Sequence, residues 1–430
     1  MENALELNEK KFTGKKTSVI LFIACFLTYA CAYIARGNYS IVINDMKTKG
    51  IINDNIAGLI SGIYFAFYAL GQFINGLIAD KKNPFYMVLI GIAIIILSNV
   101  AMTVFYKPSF LLVVWWGLNG VGQSMLWTPI FSIIGTALNP DMKFTFLTVI
   151  ALATPVGKLS GYFVSGLALD LGGKIWKSVF YAAALIMLVV LAFWLTTFLS
   201  VKKKLVFVQN KEKKEEEKKG GLWQALVLSG TAILLPSLIV HGLFLNGAVE
   251  WVPTIIQNNY GVSKSVSSYV MMIIPAIGTL GVLFGNFLYK KFGKDEIKCS
   301  VLVMGMSLLF VAILFAMSFS SGNLLGKIPE CILFVLIFGL MYTVQLSFNH
   351  LMISLFPMKF AGLGLAASVS GLLNAVNYGG SAISTYGMSF IVDNYVVLFA
   401  IWAATLVIAI VSLILSKKKV REFSKNNQGV

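Results

Sequence analysis

Long apolar runs recur along the whole chain, and they constrain its fold more than any other feature of the sequence. Each run is about 20 residues long, the length that an α-helix needs to cross the hydrocarbon core of a bilayer. Inside that core every backbone polar group must be hydrogen-bonded within the protein, so helices are expected. Charged residues make up only 12% of the chain, about half the fraction of an ordinary soluble domain. The sequence therefore predicts an all-α polytopic membrane protein.

Polar breaks divide the apolar runs into twelve predicted transmembrane helices. The predicted spans are 17–45, 55–79, 84–105, 109–138, 143–170, 175–200, 230–256, 265–289, 299–319, 329–356, 360–391 and 395–416. A mixed-charge stretch at 202–221 follows the sixth span and is too polar to be buried. We therefore predict two pseudo-symmetric six-helix halves, at 1–201 and 230–430, joined by a linker with an interfacial segment at 202–229.

The basic residues are distributed unequally between the two sides of the predicted membrane. With the N-terminus inside, the inner segments hold 25 lysines and arginines and the outer segments hold 7. Short loops rich in lysine and arginine stay on the cytoplasmic side. The net charge of +16 therefore indicates topology and not nucleic-acid binding. We expect a monomer in the cell membrane, with both termini and the linker in the cytoplasm.

Arg36 lies inside the first predicted span and is one of only two arginines, the other being Arg421 in the polar tail. An arginine at bilayer depth costs at least about 2.5–3.5 kcal/mol, and its planar fork binds carboxylate or phosphate through paired hydrogen bonds. Tyr29 and Tyr33 share its helix face by their i, i+4, i+7 spacing. This face predicts the wall of an anion-binding cavity. The alternatives are an arginine bonded to backbone carbonyls and tyrosines at the membrane interface.

Lys158 is the second cation deep inside a predicted span, about midway along the fifth. A lysine can extend its charge to the interface only from near a helix end. We therefore predict that Lys158 faces the substrate, with a structural ion pair as the alternative. The small residues Gly157 and Gly161 predict a close approach of this helix to a neighbour.

Polar pairs one helical turn apart mark further inward faces of the predicted helices. The pairs are Asn119 with Gln123, Gln345 with Asn349, and Asn374 with Asn377. Each amide either lines the cavity or forms a hydrogen bond across helices. Among them, Asn119, Gln123, Asn374 and Asn377 are predicted substrate contacts.

The two histidines and one acidic residue have two interpretations each. His241 is predicted to bind substrate or accept a proton, and His350 to couple or gate; for both, a helix–helix hydrogen bond is the alternative. Glu250, near the end of the seventh span, is either a gating carboxylate or a residue close to the membrane surface.

The chain lacks a sequence pattern typical of an enzyme or an ATP-driven pump. It has two histidines, no phosphate-binding glycine loop and no long polar domain. The four cysteines lie in or beside apolar runs without metal-ligand spacing. We therefore expect no catalytic residues, no metal and no cofactor.

Four segments resemble the major facilitator superfamily, and within it the organophosphate:phosphate antiporters. They are Tyr29-Ala-Cys-Ala-Tyr33-Ile-Ala-Arg36-Gly-Asn38, Asn119-Gly-Val-Gly-Gln123-Ser-Met-Leu-Trp127-Thr-Pro129, Glu250-Trp251-Val-Pro253-Thr254, and His350 with Pro357-Met-Lys359-Phe-Ala-Gly362. The Gly76–Lys82 segment is similar to the superfamily's loop after span 2 and recurs, offset by 209 residues, at Gly285–Lys291. The resemblance implies the twelve-helix fold and an anion transporter, with Asp80 as a coupling or gating residue.

The chain departs from the antiporter pattern at positions where that family binds phosphate. Its second arginine falls at Leu245, a lysine at Gln72 and a histidine near Thr154. Gln72 and Asn246 are the predicted substrate contacts in these regions. The resemblance favours a phosphorylated metabolite exchanged for inorganic phosphate. A proton-coupled carboxylate transporter and a non-transporting sensor of such an anion stay open as alternatives.

Overall fold

The computed structural model describes residues 13–79, 83–150, 152–202, 222–319, 326–363 and 365–427. Within these residues the regular secondary structure is helical throughout, without a β-strand. The first six long helices are α1 (Lys15–Thr48), α2 (Asp54–Ala79), α3 (Pro84–Val104), α4 (Phe110–Ala137), α5 in two segments (Pro140–Ile150 and Ala153–Leu171) and α6 (Lys177–Val201).

Three of the six helices that follow are segmented or change their winding. A short helix, Leu222–Leu228, precedes them. They are α7 (Thr231–Gly242, a π-helical turn at Leu243–Ala248, and Val249–Tyr260), α8 (Lys264–Val270, Ile273–Gly278 and Gly281–Lys291), α9 (Glu296–Ser318), α10 (Lys327–Asn349, π-helical at His350–Leu355 and 3₁₀-helical at Phe356–Leu363), α11 (Ala366–Met388) and α12 (Tyr395–Asn427). Among the described residues, a helix thus stands at each predicted span.

The ends of several helices follow from local sequence. The Asn83 side chain accepts a hydrogen bond from the Phe85 N–H, and Pro84 occupies the first helical position of α3. The Asp295 side chain caps α9 by accepting from the Lys298 N–H. Helix α7 ends at Gly261, whose φ of +64° is readily adopted only by glycine.

The outer surface of the helices has the character expected in a bilayer. Eight of the described helices are long and apolar enough to cross a membrane. Large apolar side chains are exposed on them, including Leu97 at 60%, Leu283 at 67% and Leu415 at 64%. Contact with lipid tails is favourable for these apolar side chains, whereas contact with water is not. The prediction of an all-α polytopic membrane protein is confirmed.

Many helix ends differ from the predicted spans by a few residues, and three of the differences have a local explanation. Helix α5 begins at Pro140, not 143, because proline is well suited to the first turn. Helix α11 begins at Ala366, not 360, because Phe356–Leu363 winds as a 3₁₀-helix. Helix α12 continues eleven residues past 416, because its extension packs inward through the buried Val420.

The described residues form two compact units. The first contains residues from 1–39 and 67–214, and the second contains residues from 40–66 and 215–430. The core of the first unit is a cluster of buried apolar side chains from α1, α3, α4, α5 and α6, with Phe85 and Trp194 among the largest.

The second unit combines the ends of α1 and α2 with α7 to α12. Its core includes the buried Trp402, whose ring lies 5.5 Å from that of Phe244 and 6.1 Å from that of Phe338. Gly58 of α2 lies against Ser389 and Tyr386 so closely that a methyl group would collide with them. Residues 40–66 thus pack with the second unit, although they precede 201 in sequence. The halves predicted at 1–201 and 230–430 remain a prediction about the transport domains.

Candidate functional site

Arg36 lies inside α1 of the first unit, between two aromatic rings. Its guanidinium carbon is 4.8 Å from the centroid of the Tyr68 ring on α2 and 5.3 Å from that of Tyr33. The negative faces of aromatic rings attract a cation and hold a planar guanidinium in a stacked orientation. Tyr33 and Tyr68 therefore help to orient the half-buried Arg36 side chain.

The ring of Tyr33 is fixed through its hydroxyl group. The Tyr33 hydroxyl is 3.3 Å from the Tyr29 hydroxyl, and Thr154 donates a hydrogen bond of 3.3 Å to it. The Tyr29 ring in turn packs 4.8 Å from Trp127. The structure therefore brings Tyr29, Tyr33 and Arg36 together along one face of α1, as their spacing predicted.

The ring of Tyr68 is held in a similar way. Gln72 donates a hydrogen bond of 2.8 Å to the Tyr68 hydroxyl and accepts one of 3.4 Å from Thr128. Gln72 and Thr154 are two of the positions where the chain departs from the antiporter pattern. Both support the rings that flank Arg36, so neutral hydrogen-bonding groups stand there in place of charge.

Lys158 reaches the same cluster because α5 approaches α1 very closely. A methyl group on Gly157 would collide with the carbonyl oxygen of Ala30. A methyl group on Gly161 would lie 3.2 Å from the carbonyl oxygen of Tyr33. The predicted close approach is thus present. Lys158 and Arg36 both interact electrostatically with the Tyr33 hydroxyl. The first unit therefore presents two cations around one tyrosine.

The α4 amides hold α1 in place. Asn119 donates to the Ala35 carbonyl and Gln123 to the Ala32 carbonyl, each at 2.8 Å. Both side chains are buried. Of the two interpretations, the helix–helix hydrogen bond is the one seen, and it fixes the backbone beside Arg36. A substrate contact by either amide stays a prediction.

His241 is buried at the contact between α7 and α10. Its Nδ1 is 2.8 Å from Gln345 Oε1 and its Nε2 is 3.2 Å from Asn349 Oδ1. Gln345 donates to Ser307 at 3.0 Å, so its oxygen is placed to accept from Nδ1–H. This arrangement is the helix–helix hydrogen bond that was the alternative for His241; a substrate or proton role stays a prediction.

The π-helical turn of α7 places Leu245 and Asn246 beside α11. Asn246 donates a hydrogen bond of 3.1 Å to Ser381, which donates to the Gly242 carbonyl at 2.9 Å. Asn377 is buried against Gly242, and Asn374 is half-buried. Such interruptions of a helix are frequent at functional sites. The second unit presents amides and hydroxyls in this region, with the apolar Leu245 between them.

The remaining predicted residues lie apart from these clusters. Ser61 donates a hydrogen bond of 3.1 Å to Glu250, so Glu250 joins α7 to the N-terminal part of α2 within the second unit. His350 Nε2 is 2.9 Å from Asn286 Oδ1 of α8. Asp80 lies outside the described residues. The coupling or gating role of all three stays a prediction.

One residue near Arg36, Tyr68, and one charged cluster were not predicted from the sequence. Tyr68 lies one turn before Gln72, so the i, i+4 spacing on α2 was a signal for it. The cluster joins Lys47 to Asp54 and Asp393, and Asp45 to Lys49 and Lys264. Lys264 and Asp393 lie more than two hundred residues after Asp45 and Lys47 in the sequence, and no local pattern indicates these two contacts.

The chain belongs to the Major Facilitator Superfamily, whose family description matches residues 25–385. A curated relative, the glycerol-3-phosphate transporter of Bacillus subtilis, is 23% identical over 401 residues, which are 89% of this chain and 87% of the relative. A probable hexose phosphate transport protein of Chlamydia pneumoniae is 23% identical over 184 residues, 42% of this chain and 39% of that protein.

Solved structures of transporters have the same fold. A bacterial homologue of the human lysosomal transporter Spinster, in an inward-facing and unoccupied conformation, aligns with a TM-score of 0.69 at 15% identity, over 96% of this chain and 98% of that chain. A point mutant of the nucleoside transporter NupG aligns with a TM-score of 0.72 at 13% identity, over 92% of this chain and 99% of that chain. At these identities the likeness shows the fold alone.

Proposed function

We propose that this protein is a secondary active transporter that moves a small organic anion by alternating access. The Arg36 cluster is the observation that carries the proposal. An always-charged fork inside a membrane helix, stacked between Tyr33 and Tyr68, is suited to bind an oxyanion through two hydrogen bonds. Lys158 beside Tyr33 adds a second positive charge, which favours a dianion over a monoanion.

The favoured substrate is a phosphorylated metabolite exchanged for inorganic phosphate. A phosphate ester carries close to two negative charges near neutral pH, which matches the charges of Arg36 and Lys158. The relatives named for glycerol 3-phosphate and hexose phosphate support this substrate class. We place the transporter in the cell membrane, with both termini and the linker on the cytoplasmic side, on the distribution of its lysines.

A proton-coupled carboxylate transporter is the second candidate, and Leu245 favours it. This apolar residue stands where the antiporters have a second arginine, so one fork remains, and a single fork suffices for a carboxylate. The third candidate, a sensor that binds the anion without moving it, shares the same site and differs in the absence of flux.

Counterflow uptake into proteoliposomes separates the three candidates. Vesicles containing the purified protein are loaded with phosphate, glycerol 3-phosphate, a hexose phosphate or a dicarboxylate, and entry of each labelled compound is followed. We expect phosphate esters to exchange with each other and with phosphate. Uptake of carboxylates alone, driven by an inward proton gradient, would establish the second candidate. Binding without uptake of any compound would establish the sensor.

A further inference from the structure

A cavity of about 790 Å³ lies at one end of the second unit, and none of the candidate site residues lines it. Its walls are the turn between α8 and α9, the end of α10 and the polar extension of α12. Five basic and three acidic side chains line it. Five positive and three negative side chains give the cavity a net charge of +2 when all eight are ionised.

Two of the acidic residues are held by basic partners and by other donors. Asp295 accepts from Arg421 at 2.7 Å and from the Lys298 N–H at 2.9 Å. Glu296 is nearly buried, 3.0 Å from Lys359 and 3.3 Å from the Tyr289 hydroxyl. These pairs neutralise Asp295 and Glu296 inside the wall of the cavity.

The pKa of Asp295 accords with an ionised carboxylate. Burial raises this pKa, but the Lys298 N–H and the charges of Arg421 and Lys417 lower it more, to below its usual value. Asp295 is therefore negative at neutral pH and forms an ion pair with Arg421. The cavity still contains Lys294, Lys417 and Lys418, which are absent from the ion pairs formed among the described residues.

The wall formed by α12 is anchored, so the cavity exists without a ligand. The Phe423 ring of the extension lies 5.0 Å from the Phe360 ring at the end of α10. Val420, between the basic residues and Phe423, is buried. These contacts fix the extension against α10 and hold Lys417 and Lys418 at the rim.

The cavity also touches the apolar outer surface of the helices. Ile414 lines it and is 53% exposed, and the adjacent Leu415 is 64% exposed. Lys417 and Lys418 follow after Ser416. Within one turn α12 thus changes from a lipid-facing surface to a basic one, as helices do at the level of the lipid headgroups.

We propose that this cavity binds the headgroup of an anionic phospholipid, with Lys417 and Lys418 contacting its phosphate and Ile414 contacting the start of its acyl chain. Basic pockets between transmembrane helices are suited to such headgroups. Inorganic phosphate shares the charge but has no apolar part for Ile414. The inference is independent of the proposed function, because lipid binding needs no transport substrate.

Lipid retention by the purified protein tests the proposal. The protein in neutral detergent is titrated with phosphatidylglycerol or phosphatidylcholine, and bound lipid is counted by native mass spectrometry. We expect phosphatidylglycerol to be retained and phosphatidylcholine not. Each lysine near a headgroup contributes a factor of about five, so Lys417→Gln with Lys418→Gln should weaken retention about 30-fold. Lys417→Arg with Lys418→Arg keeps the charge and should retain the lipid.

The matched control removes the same charge from a neighbouring surface. Lys290 and Lys291 are exposed at the end of α8 and do not line the cavity, so Lys290→Gln with Lys291→Gln should leave retention unchanged. Equal loss in this control would overturn the proposal, because attraction would then be unspecific. Displacement of phosphatidylglycerol by an equal concentration of inorganic phosphate would also overturn it. Helix content from circular dichroism verifies that each variant is folded.

Discussion

Arg36 combines a permanent charge with an orientation set by its neighbours. Tyr33 and Tyr68 flank it, and Thr154 and Gln72 hold the hydroxyls of those rings. A group held in this way loses little conformational entropy when an anion binds, so more of the interaction energy appears as affinity.

Replacing Arg36 with lysine tests whether the fork is needed. Lysine keeps the charge but cannot form two parallel hydrogen bonds or stack flat on a ring. A hydrogen bond to a charged group contributes about 1.5–3 kcal/mol, so we expect Arg36→Lys to reduce uptake roughly 10- to 100-fold. The measurement is initial uptake into proteoliposomes, with equal protein per vesicle. A wild-type rate would contradict Arg36 as the anion ligand.

Lys158 is the natural test of substrate charge. Coulomb attraction scales with the charge of the ligand, so a dianion should lose about twice the binding free energy that a monoanion loses in Lys158→Gln. Competition by a phosphate ester and by a monocarboxylate measures the two losses. Lys177→Gln, at the start of α6, is the control and should alter neither. Equal losses for both ligands would favour a structural role for Lys158.

The residues of the Arg36 cluster differ in how far the sequence could predict them. Tyr29, Tyr33 and Arg36 share one helix, so helical periodicity alone placed them on one face. Thr154 lies more than a hundred residues from Tyr33, and its hydrogen bond depends on how closely α5 packs against α1. Such packing depends on tertiary structure, which no local pattern encodes.

At the scale of helices, glycines determine how close α5 comes to α1. Gly157 contacts the Ala30 carbonyl directly, and Lys158 is the next residue. The distance between these two helices therefore sets the position of Lys158 relative to Tyr33. Glycine costs helix stability of about 1 kcal/mol relative to alanine, so its presence here accords with a steric requirement.

Gly157→Ala should separate the two helices. The added methyl group collides with the Ala30 carbonyl, and overpacking of this kind costs about 1–3 kcal/mol. We expect a lower melting temperature and slower uptake. Gly305→Ala in α9 is the matched control, because no atom lies within 4 Å of the added methyl, and it should preserve or raise stability. Similar losses in both variants would contradict the steric explanation.

The helices themselves were predictable, whereas their irregular turns were not. Hydropathy located the spans because the bilayer requires long apolar helices. The π-helical turns at Leu243–Ala248 and His350–Leu355 contain no proline. They arise where α7 packs on α11 and α10 on α8, and so depend on neighbouring helices.

At the scale of the molecule, α1 and α2 contribute to both compact units. Residues 40–66 are joined to the rest of the second unit by Lys264, which lies 2.9 Å from Asp45, and by Asp393, which lies 3.4 Å from Lys47. A transporter that exposes Arg36 to its two sides in turn must break and re-form contacts at its helix ends. These ion pairs are candidates for such contacts.

A double-mutant cycle measures the Asp45–Lys264 pair. Both side chains are largely buried, so removing one partner takes a neutralising charge away from the other, and this should cost more than removing both. We expect Lys264→Gln and Asp45→Asn each to lower the melting temperature, and the double variant to recover part of the loss. Lys15→Gln is the control, because its pair with Asp141 is exposed and contributes little. Strictly additive losses would show that the pair is not coupled.

The distribution of charge over the whole chain predicts how phosphate compares with the organic substrate. The first unit presents Arg36 and Lys158, whereas the second presents Leu245 and Asn246, together with the buried Asn377. We predict an organic substrate with an anionic end that suits Arg36 and Lys158 and an uncharged polar end that suits the two amides. Inorganic phosphate has only the first.

We therefore expect inorganic phosphate to be the weaker ligand. In a competition assay on proteoliposomes, phosphate should displace the labelled organic substrate only at concentrations above those at which the unlabelled substrate does so.

Leu245→Arg adds a second fork and should strengthen phosphate binding more than ester binding, because phosphate gains a second bidentate partner. Leu245→Met, which adds no charge, is the control and should leave the order unchanged. Displacement by phosphate at equal or lower concentration in the wild type would contradict this unequal distribution of charge among the substrate contacts. It would favour an antiporter that binds phosphate and ester alike.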